Sequence, residues 1–219
     1  MLNKKPKFYE TYKPYQKTNY EIKIAQNEIF INFLKVFTLI NNIFILDSVT
    51  ANTSRLLFES LDTKKDQVYC PNYDENVAKK IEEAGFCTVH RMWSQEFILR
   101  NKDMKFTGIW MDTCSSWSGS KTKGYFIKKD IANIFKNKML ENKSIFAITV
   151  CMHGEKGHLK EYNQKIKNFI LDHAESNGYK ISSKEAFFYR TPKDGEKAII
   201  CKPNSSSMSF QLFEITDLK

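Results

Sequence analysis

IFILDSVTANTSRLLFES, residues 43–60, decides how the rest of the chain is read. Ile43 to Leu46 form an apolar run suited to a buried strand, because a strand covered on both faces reads as continuous hydrophobic residues. The run stops on Asp47, passes through Ser48, Thr50 and Ala51, and turns helical near Asn52. No glycine eases the turn. A buried strand that ends on an acid and leads straight into a helix is the first half of a βα unit. Its polar end faces the edge where open α/β sheets bind ligands.

Working outward, hydrophobic periodicity places strands at 43–47, 67–71, 86–91, 106–112 and 144–151. Helices alternate with them at about 26–39, 52–61, 75–84, 94–101, 128–140 and 159–177. Gly85 and Gly178 stand where two of these helices end, the position that favours a left-handed residue. Ser94, followed by Glu96, suits a helix cap. Three strand-like pieces without helices between them follow, at 179–190, 196–202 and 209–215. The alternation predicts an α/β fold with a parallel sheet covered by helices on both faces. The tail predicts an antiparallel end to that sheet, with Pro203 to Ser207 as a hairpin loop. A basic and aromatic N-terminal arm (1–25) and a single domain (26–219) are expected.

Composition narrows the class. At 219 residues and 42% hydrophobic, the chain suits one globular domain and not a disordered one. No apolar run approaches the roughly 20 residues that cross a bilayer. MLNKKPKFYETYK has no apolar core of a secretory signal, so a cytoplasmic or nuclear location is expected. The five cysteines, at 70, 87, 114, 151 and 201, form no CxxC or CxH pair, so no metal site and no disulfide framework are expected. A net charge of +9 points to a polyanionic partner. Within the arm, Lys4, Lys5, Lys7 and Lys13 alternate with aromatic residues such as Tyr12. That mixture suits single-stranded nucleic acid, where rings stack on bases and lysines follow phosphates. It equally suits an arm packed on its own domain.

The residues just past each parallel strand are the candidate site. They are Asp47, Ser48 and Thr50; then Asn72, Tyr73 and Asp74; then Met92 and Trp93; then Asp112, Cys114 and Trp117; and last Cys151 and His153. Asp112 is a candidate catalytic acid or an ordinary loop cap. Trp117 is a base-stacking residue or a lid residue packed on its loop. His153 and His158 read best as solvated loop residues, His90 as core, and Phe187 and Tyr189 as core or as a base-stacking wall.

With these segments in place, the chain resembles the class I S-adenosylmethionine-dependent methyltransferases over about residues 26–215. The resemblance rests on "ILDSVTANTSRLL", "VYCPNYDE", "HRMWS" and "WMDTCSSW", together with the order of elements. It implies a Rossmann-like, seven-stranded, mostly parallel sheet with an antiparallel C-terminal strand, and S-adenosyl-L-methionine as cofactor. It implies that Asp47, Ser48, Thr50, Asn72, Tyr73, Trp93 and Asp112 bind that cofactor. The family's GxGxG is replaced by small residues, and Asn72 stands where an acid is usual. "LDSVTANTSR" and "WMDTC" look more distantly like tRNA guanine-N2 dimethyltransferases, which implies an RNA base as substrate. Asp112 and Trp117 would then orient and stack that base. RNA cytosine-5 methyltransferases offer a second comparison, with Cys114 and Cys151 at their two cysteine positions. The expected activity is therefore methylation of a nucleic-acid base, RNA before DNA, with a protein partner subunit conceivable. The alternative is a catalytically inactive subunit of the same fold that binds nucleic acid or a protein.

Overall fold

The computed structural model describes residues 13–118, 127–152, 159–190, 199–200 and 207–218. Helix α1 (Lys13–Leu34) leads to strand β1 (Ile43–Ile45) and helix α2 (Asn52–Leu61). Then come β2 (Val68–Pro71), α3 (Glu75–Ala84), β3 (Thr88–His90), α4 (Ser94–Arg100) and β4 (Phe106–Ser116). Helix α5 (Ile127–Lys136), β5 (Leu140–Cys151) and α6 (Leu159–Ser176) complete the alternation. Strands β6 (Tyr179–Arg190), β7 (Ile199–Ile200) and β8 (Ser207–Leu218) follow without helices between them.

All strands join one sheet in the order β3-β2-β1-β4-β5-β8-β6-β7. The β1–β2, β1–β4, β2–β3 and β4–β5 pairs are parallel, while β8 pairs antiparallel with both β5 and β6. The expected mostly parallel sheet is therefore present, with the two-residue β7 added at its edge. Strand order reverses between β1 and β4, so the carboxyl ends of these strands form the crevice of a doubly wound fold.

Helix α1 begins at Lys13 rather than near Gln26, and it ends at Leu34 rather than Leu39. Pro14 lies in its first turn, where a missing N–H breaks no intrahelical bond. Past its end, Val36 and Leu39 are largely exposed and do not extend the buried stripe. Gly85 (φ 82°) and Gly178 (φ 87°) both take the left-handed conformation expected of them. Ser94 is not a cap. Trp93 holds that position, and the Ser94 hydroxyl instead donates to buried Asp130 of α5 at 2.6 Å. Strand β4 runs past its expected end at Asp112 to Ser116, which pairs with Cys151, and β5 begins at Leu140, opposite Phe106, rather than at Ser144.

One hydrophobic core lies on each face. Phe44, Met111, Phe146, Ile148 and Phe213 pack under α4, α5 and α6 on one side. Ile43, Ile45, Trp110, Ala147 and Phe210 pack with Phe30 and Leu34 of α1 and Leu57 of α2 on the other. Burial of a large apolar side chain contributes about 1.5–3 kcal/mol, so these two layers hold the strand ends in place.

Candidate active site

Asp47 lies just beyond β1. Its Oδ1 accepts from the Ser48 N–H at 2.8 Å, and its Oδ2 accepts from the N–H and hydroxyl of Ser54 at 2.8 and 2.9 Å. Ser54 is in the first turn of α2, whose N-cap residue, Ala51, makes no side-chain capping bond. Asp47 therefore caps α2 from seven residues away and closes the turn upon itself. Ala51 bends that turn with φ 47° and ψ 34°, the left-handed region in which glycine is favoured. Ser48 and Thr50 share a hydroxyl hydrogen bond at 2.8 Å on the outside of the turn.

Burial is the main force that raises the Asp47 pKa, against the lowering effect of its bonds to Ser54 and Ser48; the charge of Asp112 raises it further. Asp112 lies on β4, opposite Thr149 of β5, and is partly exposed. Thus the acid just past β1 and the acid on β4 lie close enough to sense each other. Cys70 of β2 is nearby. Its hydrogen bond with Cys87 comes first, then burial and the Asp47 charge, in holding this thiol well above the usual range.

After β2, the Asn72 N–H donates to the His90 carbonyl, and its side-chain oxygen accepts from the Asp74 N–H at 3.0 Å. Asp74 caps α3 through the N–H groups of Asn76 and Val77. Between them Tyr73 is half exposed and stacks on Trp93, with ring centroids 3.5 Å apart and planes 11° apart. This pair joins the ends of β2 and β3. His90 is stacked on Tyr69 and lies against Phe97, and burial lowers its pKa.

Trp117 is buried, 4% exposed, with Phe169 of α6 edge-on to its ring and the Lys128 Nζ 5.0 Å from the ring centroid. It packs into the core rather than standing open at the crevice. Cys114 is on β4, and Cys151 is half-buried at the end of β5. Phe187 and Tyr189 pack with Phe210 in the core on the α1 side. Lys13 is the first residue of α1, while Lys4, Lys5, Lys7, Tyr12, His153 and His158 lie outside the described residues.

The structure thus gathers Asp47, Ser48, Thr50, Asn72, Tyr73, Trp93 and Asp112 at one edge of the sheet. Sequence reasoning missed the left-handed Ala51 and the capping partner Ser54. The signal for both was the missing glycine, since some residue had to make that bend. Among the described residues, no group of His, Cys, Asp and Glu is placed to hold a metal ion, and no helix is long and apolar enough to cross a membrane. A surface groove of about 590 Å³, lined by Lys35, Leu39, Asp62 and Thr63 among others, lies at the opposite, amino edge of the sheet.

No family model and no curated sequence matches the chain. Solved structures do match in fold. An rRNA-methylase candidate from Clostridium thermocellum superposes with a TM-score of 0.54 at 9% identity, over 86% of this chain and 94% of that one. A precorrin-6y C5,15-methyltransferase from Geobacter metallireducens GS-15 gives 0.53 at 10% identity, over 86% of each chain. An S-adenosylmethionine-dependent methyltransferase from Thermotoga maritima gives 0.51 at 10%, over 95% and 94%. The chain has the class I methyltransferase fold, the fold of enzymes that take S-adenosylmethionine as cofactor.

The crevice residues fit that cofactor. The bend at Ala51 brings backbone to the crevice with only small side chains on it, a close approach that large residues would block. Asn72 stands at the end of β2, with a side chain able to bond hydroxyls. Tyr73 and Trp93 offer flat rings beside it.

Proposed function

We propose that the chain is an S-adenosylmethionine-dependent methyltransferase acting on a nucleic-acid base, RNA before DNA. The observation that carries this reading is the set of polar residues Asp47, Asn72 and Asp112 on three neighbouring strands: just past β1, just past β2, and on β4 beyond its pairing with β1. A scaffold has no need of polar groups at all three. The turn at Ser48–Ala51, Asn72 and the Tyr73–Trp93 pair would hold the cofactor, which supplies an electrophilic methyl group when bound. Asp47 braces the turn from inside and acts as a positioning residue. Asp112, partly exposed beside it, would accept a hydrogen bond from the acceptor amine and keep its lone pair aimed into the crevice. Support for a nucleic acid comes from the +9 charge and from the rRNA-methylase candidate among the structural neighbours.

A second reading, a methyltransferase-fold subunit without activity, draws on the Tyr73–Trp93 stack. At 3.5 Å between centroids the two rings leave no slot between them for a third. Calorimetric titration with S-adenosylhomocysteine separates the readings. The active reading expects micromolar binding that weakens in Asp47→Ala. It also expects Asp112→Ala to abolish methyl transfer to RNA with cofactor affinity nearly intact. A folded protein that does not bind at all would favour the inactive subunit.

A further inference from the structure

Tyr73 and Trp93 lie face to face, with ring centroids 3.5 Å apart and planes 11° apart. Aromatic side chains favour offset or edge-on pairs, with centroids about 4.5–7 Å apart. At the shorter spacing the two rings overlie each other almost fully. The spacing matches the roughly 3.4 Å that separates successive bases along a nucleic-acid strand. The Tyr73 ring thus lies on Trp93 as a base would lie on it.

The two rings are not held alike. Trp93 is the N-cap residue of α4, its carbonyl accepts from the Phe97 N–H at 3.0 Å, and its partly buried ring packs on the core that includes Phe97 and Ile98. Tyr73 is 50% exposed, in the short loop between β2 and α3. Its backbone is pinned on both sides. The Asn72 N–H donates to the His90 carbonyl, the Asp74 N–H donates to the Asn72 side-chain oxygen, and Asp74 caps α3. Trp93 is the one ring contact of Tyr73 among the described residues. The loop can therefore keep its course while the Tyr73 side chain turns out into solvent, a motion exposed side chains make within nanoseconds. Trp93 cannot leave without disturbing the start of α4 and the core beneath it. Tyr73 is the ring that moves.

We propose that Tyr73 is a gate on the cofactor site: in the free chain its ring takes the place of the cofactor's base on Trp93, and binding requires it to swing out. This rests on the methyltransferase reading above. It divides the work of the pair, since Trp93 takes the base and Tyr73 covers Trp93 until the base arrives. Asn72, whose amide can bond the cofactor's hydroxyls, immediately precedes Tyr73, and Trp93 offers the base a flat apolar face there. The cover keeps that face from water in the free chain. In exchange it lowers the apparent affinity for the cofactor, because only the open fraction of the protein is competent to bind. The usual worth of an aromatic pair corresponds to about a 2- to 12-fold factor in an equilibrium constant.

The test titrates S-adenosylhomocysteine and adenosine, by calorimetry and ligand-observed NMR, into the full chain and its Tyr73→Ala and Tyr73→Phe variants. Removing a ring from a binding site ordinarily weakens binding. Here Tyr73→Ala should tighten it by about 2- to 12-fold, because no stack has to open. The gain belongs to the base, so adenosine, which lacks the amino-acid part, should gain by the same factor. Tyr73→Phe restores a ring that closes on Trp93 and should return both affinities to those of the unaltered chain. An affinity in Tyr73→Ala that is unchanged or weaker would overturn the proposal, by making Tyr73 a bystander or a second wall for the base. A gain for S-adenosylhomocysteine without one for adenosine would overturn it too, by setting Tyr73 against the amino-acid part. Equal gains in Tyr73→Ala and Tyr73→Phe would do the same, by assigning the effect to the hydroxyl. Failure of both the unaltered chain and Tyr73→Ala to bind S-adenosylhomocysteine would instead remove the methyltransferase reading, and this inference with it.

Discussion

Ala51 holds a left-handed backbone where a glycine would be at ease, and the magnitudes decide what its replacement does. The left-handed conformation costs a residue with a Cβ about 1–2 kcal/mol. Glycine would relieve that cost but lose about 0.5–1 kcal/mol to the unfolded chain, and a buried methyl adds about 0.8 kcal/mol in favour of alanine. Ala51→Gly should therefore change the stability by less than about 1 kcal/mol in either direction. Ala51→Val, with a branched Cβ in the same region, should cost more than about 2 kcal/mol in urea denaturation. Asp47 has a pH signature. Its folded pKa is raised by burial, so the folded state holds a proton that the unfolded state has released. Stability from this group is fully present below the ordinary value of 3.8 and falls as pH rises through the raised folded value. Asp47→Asn lacks that slope. The stability advantage of the native protein over this variant should accordingly shrink from pH 4 to pH 7, in denaturation curves collected across the range. An advantage that grows with pH would mean a lowered Asp47 pKa. That Asp47 matters was legible in the sequence, since an acid ending an apolar run is conspicuous. That it caps α2 through Ser54 was not, because this bond exists only once Ala51 has bent the chain.

Among elements, α1 comes close to β4 at one point, where Leu34 and Phe30 lie over Gly108. The approach depends on Gly108. Alanine usually stabilises a regular element relative to glycine by about 0.5–1 kcal/mol. Here its Cβ would meet Leu34 and Phe30 at 3.0 and 3.1 Å, inside ordinary contact. Gly108→Ala should therefore destabilise the protein by about 1–3 kcal/mol, the range for overpacking. It should also weaken S-adenosylhomocysteine binding if the crevice shifts with the helix. A gain in stability would show that α1 yields freely. The sequence revealed which elements exist far better than where they end. Continuous apolar runs such as Ile43–Leu46 and Ile145–Ile148, alternating with helical segments, mark buried strands. The carboxyl end of β4 and the amino end of β5 are polar, and they are strands through pairing at Ser116–Cys151 and Phe106–Leu140. The start of α1 was hidden for the opposite reason, because its first turns carry lysines and tyrosines with little apolar periodicity.

At the scale of the whole molecule, the sheet gathers polar residues on one edge, while +4 of the +9 charge excess lies in the first 23 residues. The described elements carry ion pairs of their own, such as Arg91 with Glu75 and Glu82, and Lys184 with Glu214. These exposed pairs contribute little to stability, about 0–1 kcal/mol each, but they neutralise the surfaces that bear them. The first 23 residues, in contrast, hold six lysines against Glu10 and Glu21. If this arm follows a phosphate backbone, its contribution must appear as released counterions. Each phosphate contact with single-stranded RNA steepens the dependence of log K on log salt by about 0.7. Changing Lys4, Lys5, Lys7 and Lys13 together to glutamine should therefore reduce the slope by up to about 3, measured by fluorescence anisotropy with a labelled single-stranded RNA over a range of salt. S-adenosylhomocysteine affinity should be unaffected, since the cofactor crevice is built from other elements. An unchanged slope with weakened RNA binding would assign the arm to packing against its own domain. In that case the aromatic residues between the lysines, and not the lysines, would be its working part.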